Sequence, residues 1–370
     1  MCDIKYVPKF LADLKDKEIV RYKNERLKTT YLVNIIDMFL SKYVFLNSDK
    51  TSINSQLMKK NYGNKYNLYL DYLLHKKIIT IFKNYSTGRH SRIYKITDKT
   101  KNSITYIEKQ IPQKLKNKIN DSKLKTNTVE DHIKIKLITD LLKVNIDKVN
   151  AIKWLDEQNL DDRSDIINRT SILKVNNKEL FYTFDVYGRL HTNFTTLKKD
   201  IRNNFLTING EKLKEIDITN SQPFFLYLLM KEEGFNKFTD FDKDVLNGTI
   251  YDKLSEYENI SRNEAKLKVY SVLFGRNRDN TKSNMSFKFF YPKVYKWIKE
   301  FKLKHKDYKV VAQMLQKIES KFIFNNLMNE IILYNKNIPI ITIHDAVLIP
   351  ERYYDNVKKI FVKELKKLIG

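Results

Sequence analysis

The stretch KLKEIDITNSQPFFLYLLM, residues 212–230, switches from strand to helix within a few residues. Leu213, Glu215, Ile216 and Ile218 suit a β-strand. Pro223 suits the first turn of a helix, where its missing N–H costs nothing. Asp217 therefore stands near a strand end, just before a turn. A carboxylate there can hold a divalent metal beside the backbone carbonyl of Ile218. An Asp in that place can equally cap the following helix.

Three further stretches carry chemistry. IPIITIHDAVLIP, residues 338–350, sets two β-branched runs around His344-Asp345 and reads as a hairpin with an acidic tip. It is followed by an amphipathic helix with Val357, Ile360, Phe361 and Leu365 on one face. In SRNEAKLKVYSVLFG, residues 261–275, Arg262, Lys266, Tyr270 and Phe274 recur every four residues. On a helix they form a face of two cations and then two rings, able to hold a triphosphate and stack a base or sugar. The plainer reading is an amphipathic helix with snorkelling cations. In FYTFDVYGRLHTNF, residues 181–194, Gly188-Arg189 reads as a turn presenting an Arg, with His191, Thr192 and Asn193 beside it.

Towards the N-terminus, residues 1–25 are charged and weakly patterned and read as an arm. Leu32, Ile35, Ile36 and Phe39 have helical spacing. Helix candidates follow at 51–60, ending near Gly63, and from Tyr66. Strands at Ile78–Phe82 and Arg92–Thr97 flank a turn at Gly88. Helices followed by strand, basic turn and strand make a winged helix-turn-helix pattern over 26–97, its wing carrying Arg89, His90 and Arg92. Residues 101–125 hold seven Lys against Glu108 and Asp121 and read as a solvated linker or a face tracking phosphates. Residues 129–160 read as helical throughout, and the pattern from 180 onward is mixed α and β. The expected division is an arm at 1–25, a winged helix at 26–97, a basic linker with helices at 98–180 and a mixed domain at 181–370.

The 370 residues carry a net charge of +25, which points to polyanionic partners, nucleic acid first and an anionic membrane surface second. The single Cys2 excludes an intramolecular disulfide and every cysteine-based zinc cage. The six His are scattered without metal-ligand spacing. There is no internal repeat, no apolar run long enough to span a bilayer, no secretory h-region in MCDIKYVPKF and no GxxxxGK[ST] phosphate loop. An intracellular, cytoplasmic or nucleoid-associated protein of a bacterial host is expected, and a P-loop ATPase is not.

The order Gly188-Arg189, Asp217, Arg262 to Gly275, then His344-Asp345 resembles the palm and fingers of family A DNA polymerases, the bacterial DNA polymerase I type. It is also similar to their relatives, the phage-type single-subunit RNA polymerases. The resemblance covers roughly residues 180–370. Phe289-Phe290-Tyr291-Pro292 looks like the aromatic-Pro segment after the fingers helix, and Gln316 matches a family Gln near the primer minor groove. The resemblance implies an α+β right-hand fold with an antiparallel palm sheet, helical fingers and a reduced helical thumb from about 101–180. It implies two-metal phosphoryl transfer, with Asp217, Asp345 and the Ile218 carbonyl holding two Mg2+ ions, or Mn2+ in their place. Arg262 and Lys266 would bind the triphosphate, Lys266 serving as acid for the leaving group. Tyr270 and Phe274 would lie against sugar and base. Arg189, His191, His344 and Gln316 would contact primer and template.

The sequence also departs from the family. The first Asp motif usually reads Asp-Tyr-Ser-Gln-Ile-Glu, whereas here it is Asp217-Ile218-Thr219-Asn220-Ser221-Gln222. Gln222 stands where the DNA enzymes have a Glu that excludes a ribose 2′-OH and the RNA enzymes have Gly. Ala346 replaces the Glu after His-Asp, and Phe274 replaces a Tyr that senses the 2′-OH in the RNA enzymes. A bulky residue at 222 and no hydroxyl at 274 favour dNTPs. The Asp-x-Glu triplet Asp16-Lys17-Glu18 lies in the polar arm, so no proofreading exonuclease is expected. The expected protein is a small DNA polymerase of a phage, plasmid or mobile element, acting on primed DNA with replication accessory proteins and without a membrane. The alternatives are a single-subunit RNA polymerase or primase, and a non-enzymatic winged-helix replication regulator.

Overall fold

The computed structural model describes residues 3–46, 48–85, 91–120, 130–236, 238, 240–276 and 282–369. They form an α+β fold in two units. One comprises residues 1–125, 142–183 and 192–212, the other residues 126–141, 184–191 and 213–370.

In the first unit, helix Thr29–Leu46 buries Leu32, Ile35, Ile36 and Phe39 completely, as their spacing requires. Strands Lys50–Ser52, Ile93–Ile96 and Ile79–Lys83 form an antiparallel sheet with Ile93–Ile96 in the middle. Helices Ser55–Tyr62 and Tyr66–His75 come between the first of these strands and the other two. The expected helix at 51–60 starts late for two reasons. Thr51 pairs with Tyr94 in the sheet, and Asn54 caps the helix by accepting the Leu57 N–H at 3.0 Å. Gly63, at φ 84°, ends it. Arg92 is exposed, while Arg89 and His90 lie outside the described residues.

The N-terminal segment is not an arm. Asp3–Pro8 pairs antiparallel with Ile104–Lys109, and Ile4, Tyr6 and Val7 are buried. Two runs more than ninety residues apart satisfy each other's backbone groups, which a local charge count cannot register. Part of the expected basic linker is therefore sheet. Helix Asp162–Asn176 joins the same unit, where the Tyr6 and Thr170 hydroxyls share a hydrogen bond of 2.5 Å. The residues expected to build a thumb thus fold mostly with the first unit. The expected continuous helix over 129–160 is interrupted as well. Val144–Ile146 is a strand pairing with Leu206–Ile208. Asn209 and Gly210, at φ 51° and 82°, then turn the chain into strand Glu211–Asp217. Two positive φ angles in a two-residue loop match the right-handed twist of the flanking strands.

That strand enters the second unit at Leu213. There it pairs antiparallel with Ala346–Pro350, which pairs in turn with Ile341–Ile343. Helix Ser221–Glu232 follows and is buried nearly all round, as the run PFFLYLLM demands. Helices Ile250–Glu258, Arg262–Phe274, Pro292–Lys304 and Val310–Lys321 complete the frame, and a π-helical segment, Phe322–Leu327, links the last of them to Met328–Tyr334. Asp140 pins the approach to the hairpin, accepting the Ile340 N–H at 3.1 Å and the Lys136 ammonium at 2.8 Å. Helix Tyr354–Ile369 closes the chain, burying Val357 and Phe361. Among the described residues no helix is long and apolar enough to cross a membrane.

Candidate active site

Strand Glu211–Asp217 buries Leu213 and Ile216 and leaves Asp217 exposed at its end. Asn220, three residues on, occupies the N-cap position of Ser221–Glu232. Asn220 is left-handed at φ 55°, a conformation Asn tolerates better than most residues. Gly248 backs this bend closely, since a Cβ there would lie 2.9 Å from the Thr219 methyl.

The hairpin forms as the pattern requires. Ile343 pairs with Ala346, so His344 and Asp345 are the two turn residues, and His344 adopts φ 53°. A left-handed residue with a Cβ costs about 1 kcal/mol, which the paired strands on either side sustain. Across the next strand Asp217 pairs with Ala346. The two acidic positions therefore sit at the same end of one sheet. Their hard oxygen donors, with the Ile218 carbonyl, suit Mg2+ or Mn2+. Among the described residues no group of three His, Cys, Asp or Glu forms a metal cage. Few protein carboxylates is the usual arrangement for Mg2+, which keeps waters and substrate phosphates as its other ligands.

Around this end lie several of the other expected residues of the second unit. Asp185 builds the Gly-Arg turn, its carboxylate accepting the N–H groups of Tyr187 at 2.8 Å and Arg189 at 3.0 Å. Gly188 supplies the required φ of 87°. The other Asp185 oxygen lies 2.9 Å from His191 Nε2. Burial opposes its ionisation, but His191 and the two backbone donors outweigh that and hold Asp185 below the ordinary carboxylate range. The His191 ring meets His344 edge-on with centroids 5.5 Å apart. The turn and the hairpin tip are thus in contact.

Arg189 does not project freely. Its guanidinium donates to Glu319 Oε2 at 2.6 Å, and the same oxygen accepts Gln222 Nε2 at 3.0 Å. Glu319 is 1% exposed and Gln222 7%. Burial raises the Glu319 pKa to about 7; the Arg189 charge opposes this and the Asp345 charge adds to it. Sequence reasoning missed Glu319. Gln316, which it named, is half-buried one turn earlier on the same helix.

On Arg262–Phe274 the buried face is Ala265, Val269, Val272 and Leu273. Arg262 and Lys266 are exposed, and Tyr270 and Phe274 are half-buried with centroids 5.2 Å apart. The cation-and-ring face is therefore not the core face. Lys266 sits over the Tyr270 ring at 5.5 Å. Burial, then the charge of Asp345, lift the Tyr270 hydroxyl above its ordinary pKa, which relates the ring to the acidic end. Arg262 pairs with Asp252 at 2.8 Å and donates to Asn220 Oδ1 at 3.3 Å. That ion pair is about half exposed on both sides, and such pairs contribute only about 0–1 kcal/mol. A polyanion can displace Asp252 at small cost. Gly275 ends the helix for a steric reason, since a Cβ would stand 2.3 Å from the Ser271 carbonyl oxygen. In the aromatic-Pro segment, Tyr291 is buried with its hydroxyl on Asp244 at 2.7 Å, and Pro292 opens the next helix.

Arg92 belongs to the first unit. The second unit brings together Asp217, Gln222, Arg189, His191, His344 and Asp345, with Tyr270 and Glu319 in the field of Asp345. No protein-family model matches the chain, and no curated protein matches it.

Proposed function

We propose that the second unit catalyses template-directed nucleotidyl transfer, as a small DNA polymerase of the family A type. The observation that carries the reading is the register setting Asp217 opposite Ala346, the residue after Asp345. Asp217, Asp345 and the Ile218 carbonyl would hold the divalent ions. Those ions supply Lewis-acid stabilisation of the transferring phosphate and a lowered pKa for the attacking hydroxyl. Arg262 and Lys266 bind the triphosphate, exchanging a weak surface ion pair for charge-assisted contacts to phosphate oxygens. Lys266 donates a proton to the departing pyrophosphate from its Nζ. Tyr270 and Phe274 offer a half-buried aromatic surface for the sugar and base. Arg189, His191, His344 and Gln316 orient primer and template.

The first unit's order of helix, strand, two helices and two strands supports a winged-helix reading of residues 26–97. We assign it duplex DNA binding, with Arg92 beside its wing strand and Arg89, by its place in the sequence, as a second cation. Primer extension with dNTPs or NTPs, with and without Mg2+, tests the proposal. Metal-dependent extension with dNTPs is the expected result. A preference for NTPs or start without a primer replaces this reading with an RNA polymerase or primase. No extension with either nucleotide set removes the enzyme reading and leaves a DNA-binding replication regulator.

A further inference from the structure

Given nucleotidyl transfer at Asp217 and Asp345, on which this rests, we propose that Glu319 is a positioning residue that orients Arg189 and Gln222 through a single carboxylate. Its Oε2 accepts from both side chains, at 2.6 Å and 3.0 Å. The three residues come from a turn, the start of one helix and the end of another, 130 and 97 positions apart in the chain. The helices carrying Gln222 and Glu319 pack together, and the shared oxygen then fixes Arg189 and Gln222 in register with each other.

The chemistry of the donors makes this directional. Oε2 accepts the Gln222 Nε2–H bond, so the amide turns its NH2 towards Glu319. The Gln222 carbonyl oxygen is then the group left to face elsewhere. The guanidinium is planar, and one N–H bond to a fixed acceptor restricts the whole fork. Glu319 Oε1 and Arg189 Nε are buried, and neither has a hydrogen-bond partner among the described residues. A group serving stability alone would leave fewer buried polar atoms unmet, because an apolar side chain of similar size often holds a fold as well as a buried ion pair. The helix carrying Glu319 runs directly into the π-helical turn Phe322–Leu327. Such turns are rare and are found frequently at functional sites.

The test compares Glu319→Met, which keeps the volume and removes the acceptor, with Glu319→Gln, which keeps an acceptor and removes the charge. Single-nucleotide incorporation is measured on the full chain with a primed template, alongside template affinity by anisotropy and stability by denaturant. The expected loss in kcat/KM for Glu319→Met is about 100-fold, with the loss in kcat exceeding any rise in KM; stability falls as well, because Arg189 is left without its carboxylate. Glu319→Gln is expected to remain within about tenfold of wild type. Glu319→Met combined with Arg189→Ala should lose less than the product of the two single losses, since the two share one contact. If Glu319→Met is folded and incorporates nucleotide as well as wild type, the assignment is overturned. If Glu319→Met does not fold, Arg189→Ala, Gln222→Ala and their combination decide: a shared anchor makes their effects fall short of additivity, and strict additivity overturns it. Wild-type protein that extends no primer, or Asp217→Asn that extends normally, removes the nucleotidyl-transfer reading itself. Normal controls with an active Glu319→Met remove only the role of Glu319.

Discussion

Asp217 lies across the antiparallel register from Ala346, and Asp345 is the turn residue immediately before that partner. Two carboxylates at one sheet end, each removable without touching the core, permit a clean separation of binding from chemistry. Asp217→Asn and Asp345→Asn should each reduce primer extension at least about 1000-fold, equivalent to about 4 kcal/mol of transition-state stabilisation. Primed-template affinity should change little. Extension near the wild-type rate by either variant removes that residue from the metal site.

Gln222 is expected to set sugar selection, and its hydrogen bond to Glu319 changes what substitution there does. Gln222→Gly should raise NTP use relative to dNTP use by about tenfold, a difference of about 1.4 kcal/mol. Gln222→Glu is not a simple tightening of that selection. It would replace a donor 3.0 Å from Glu319 with a second acceptor. Two carboxylates that close share a proton. The variant should lose about 1–3 kcal/mol of stability above neutral pH and recover it in acid. Denaturation at pH 6 and pH 8 checks this, and equal stability to wild type at pH 8 counts against the hydrogen bond.

The parts of the site that local pattern can encode were legible. A strand-to-helix switch located Asp217, a β-branched hairpin located His344-Asp345, and a four-residue period separated the face of Arg262, Lys266, Tyr270 and Phe274 from the core. Glu319 was not legible, because its role comes from partners 97 and 130 residues away and its own surroundings, QKIESKF, have no signature. The same physics hid the pairing of Asp3–Pro8 with Ile104–Lys109. Strand partners that far apart leave no periodic trace between them. The Asn209-Gly210 turn is different, because its dipeptide is a strong hairpin signal that local pattern does encode.

Lys302 supports the face that carries Tyr270 and Phe274. It is 3% exposed and donates to the carbonyls of Val272 and Gly275, both at 2.8 Å, at the C-terminal end of Arg262–Phe274. Burial lowers its pKa to about 8. Lys302→Met keeps much of the buried stem and leaves two carbonyls without this donor. The expected loss of stability is about 1–3 kcal/mol, read by denaturant titration. A variant as stable as wild type would show that the cap contributes nothing.

DNA binding by the first unit can be tested in the full chain through Arg92, which is exposed beside the middle strand of its sheet. Removing one phosphate-binding cation should reduce the slope of log affinity against log salt by about 1. Arg92→Ala should do this without changing the melting profile. Combining it with Arg89→Ala should reduce the slope further. An unchanged slope in the double variant excludes the wing from duplex binding.

Glu319 also gives the protein a pH signature that needs no substrate. Its ordinary pKa of 4.5 rises to about 7 in the folded chain, chiefly through burial. Between those values the folded state holds the proton and the unfolded state has released it. The contribution to stability is therefore fully present below about 4.5 and is lost as pH rises through about 7. One such group changes stability by at most about 1.4 kcal/mol per pH unit. Asp185 works in the opposite sense, because its pKa is lowered and its contribution fades as pH falls. The informative quantity is thus the difference between wild type and Glu319→Gln, in which Asp185 and all other groups cancel. That difference should fall steadily from pH 5 to pH 7 and level off above it. A flat difference across this range would mean that the carboxylate is ionised throughout, and that Arg189 and Gln222 outweigh its burial.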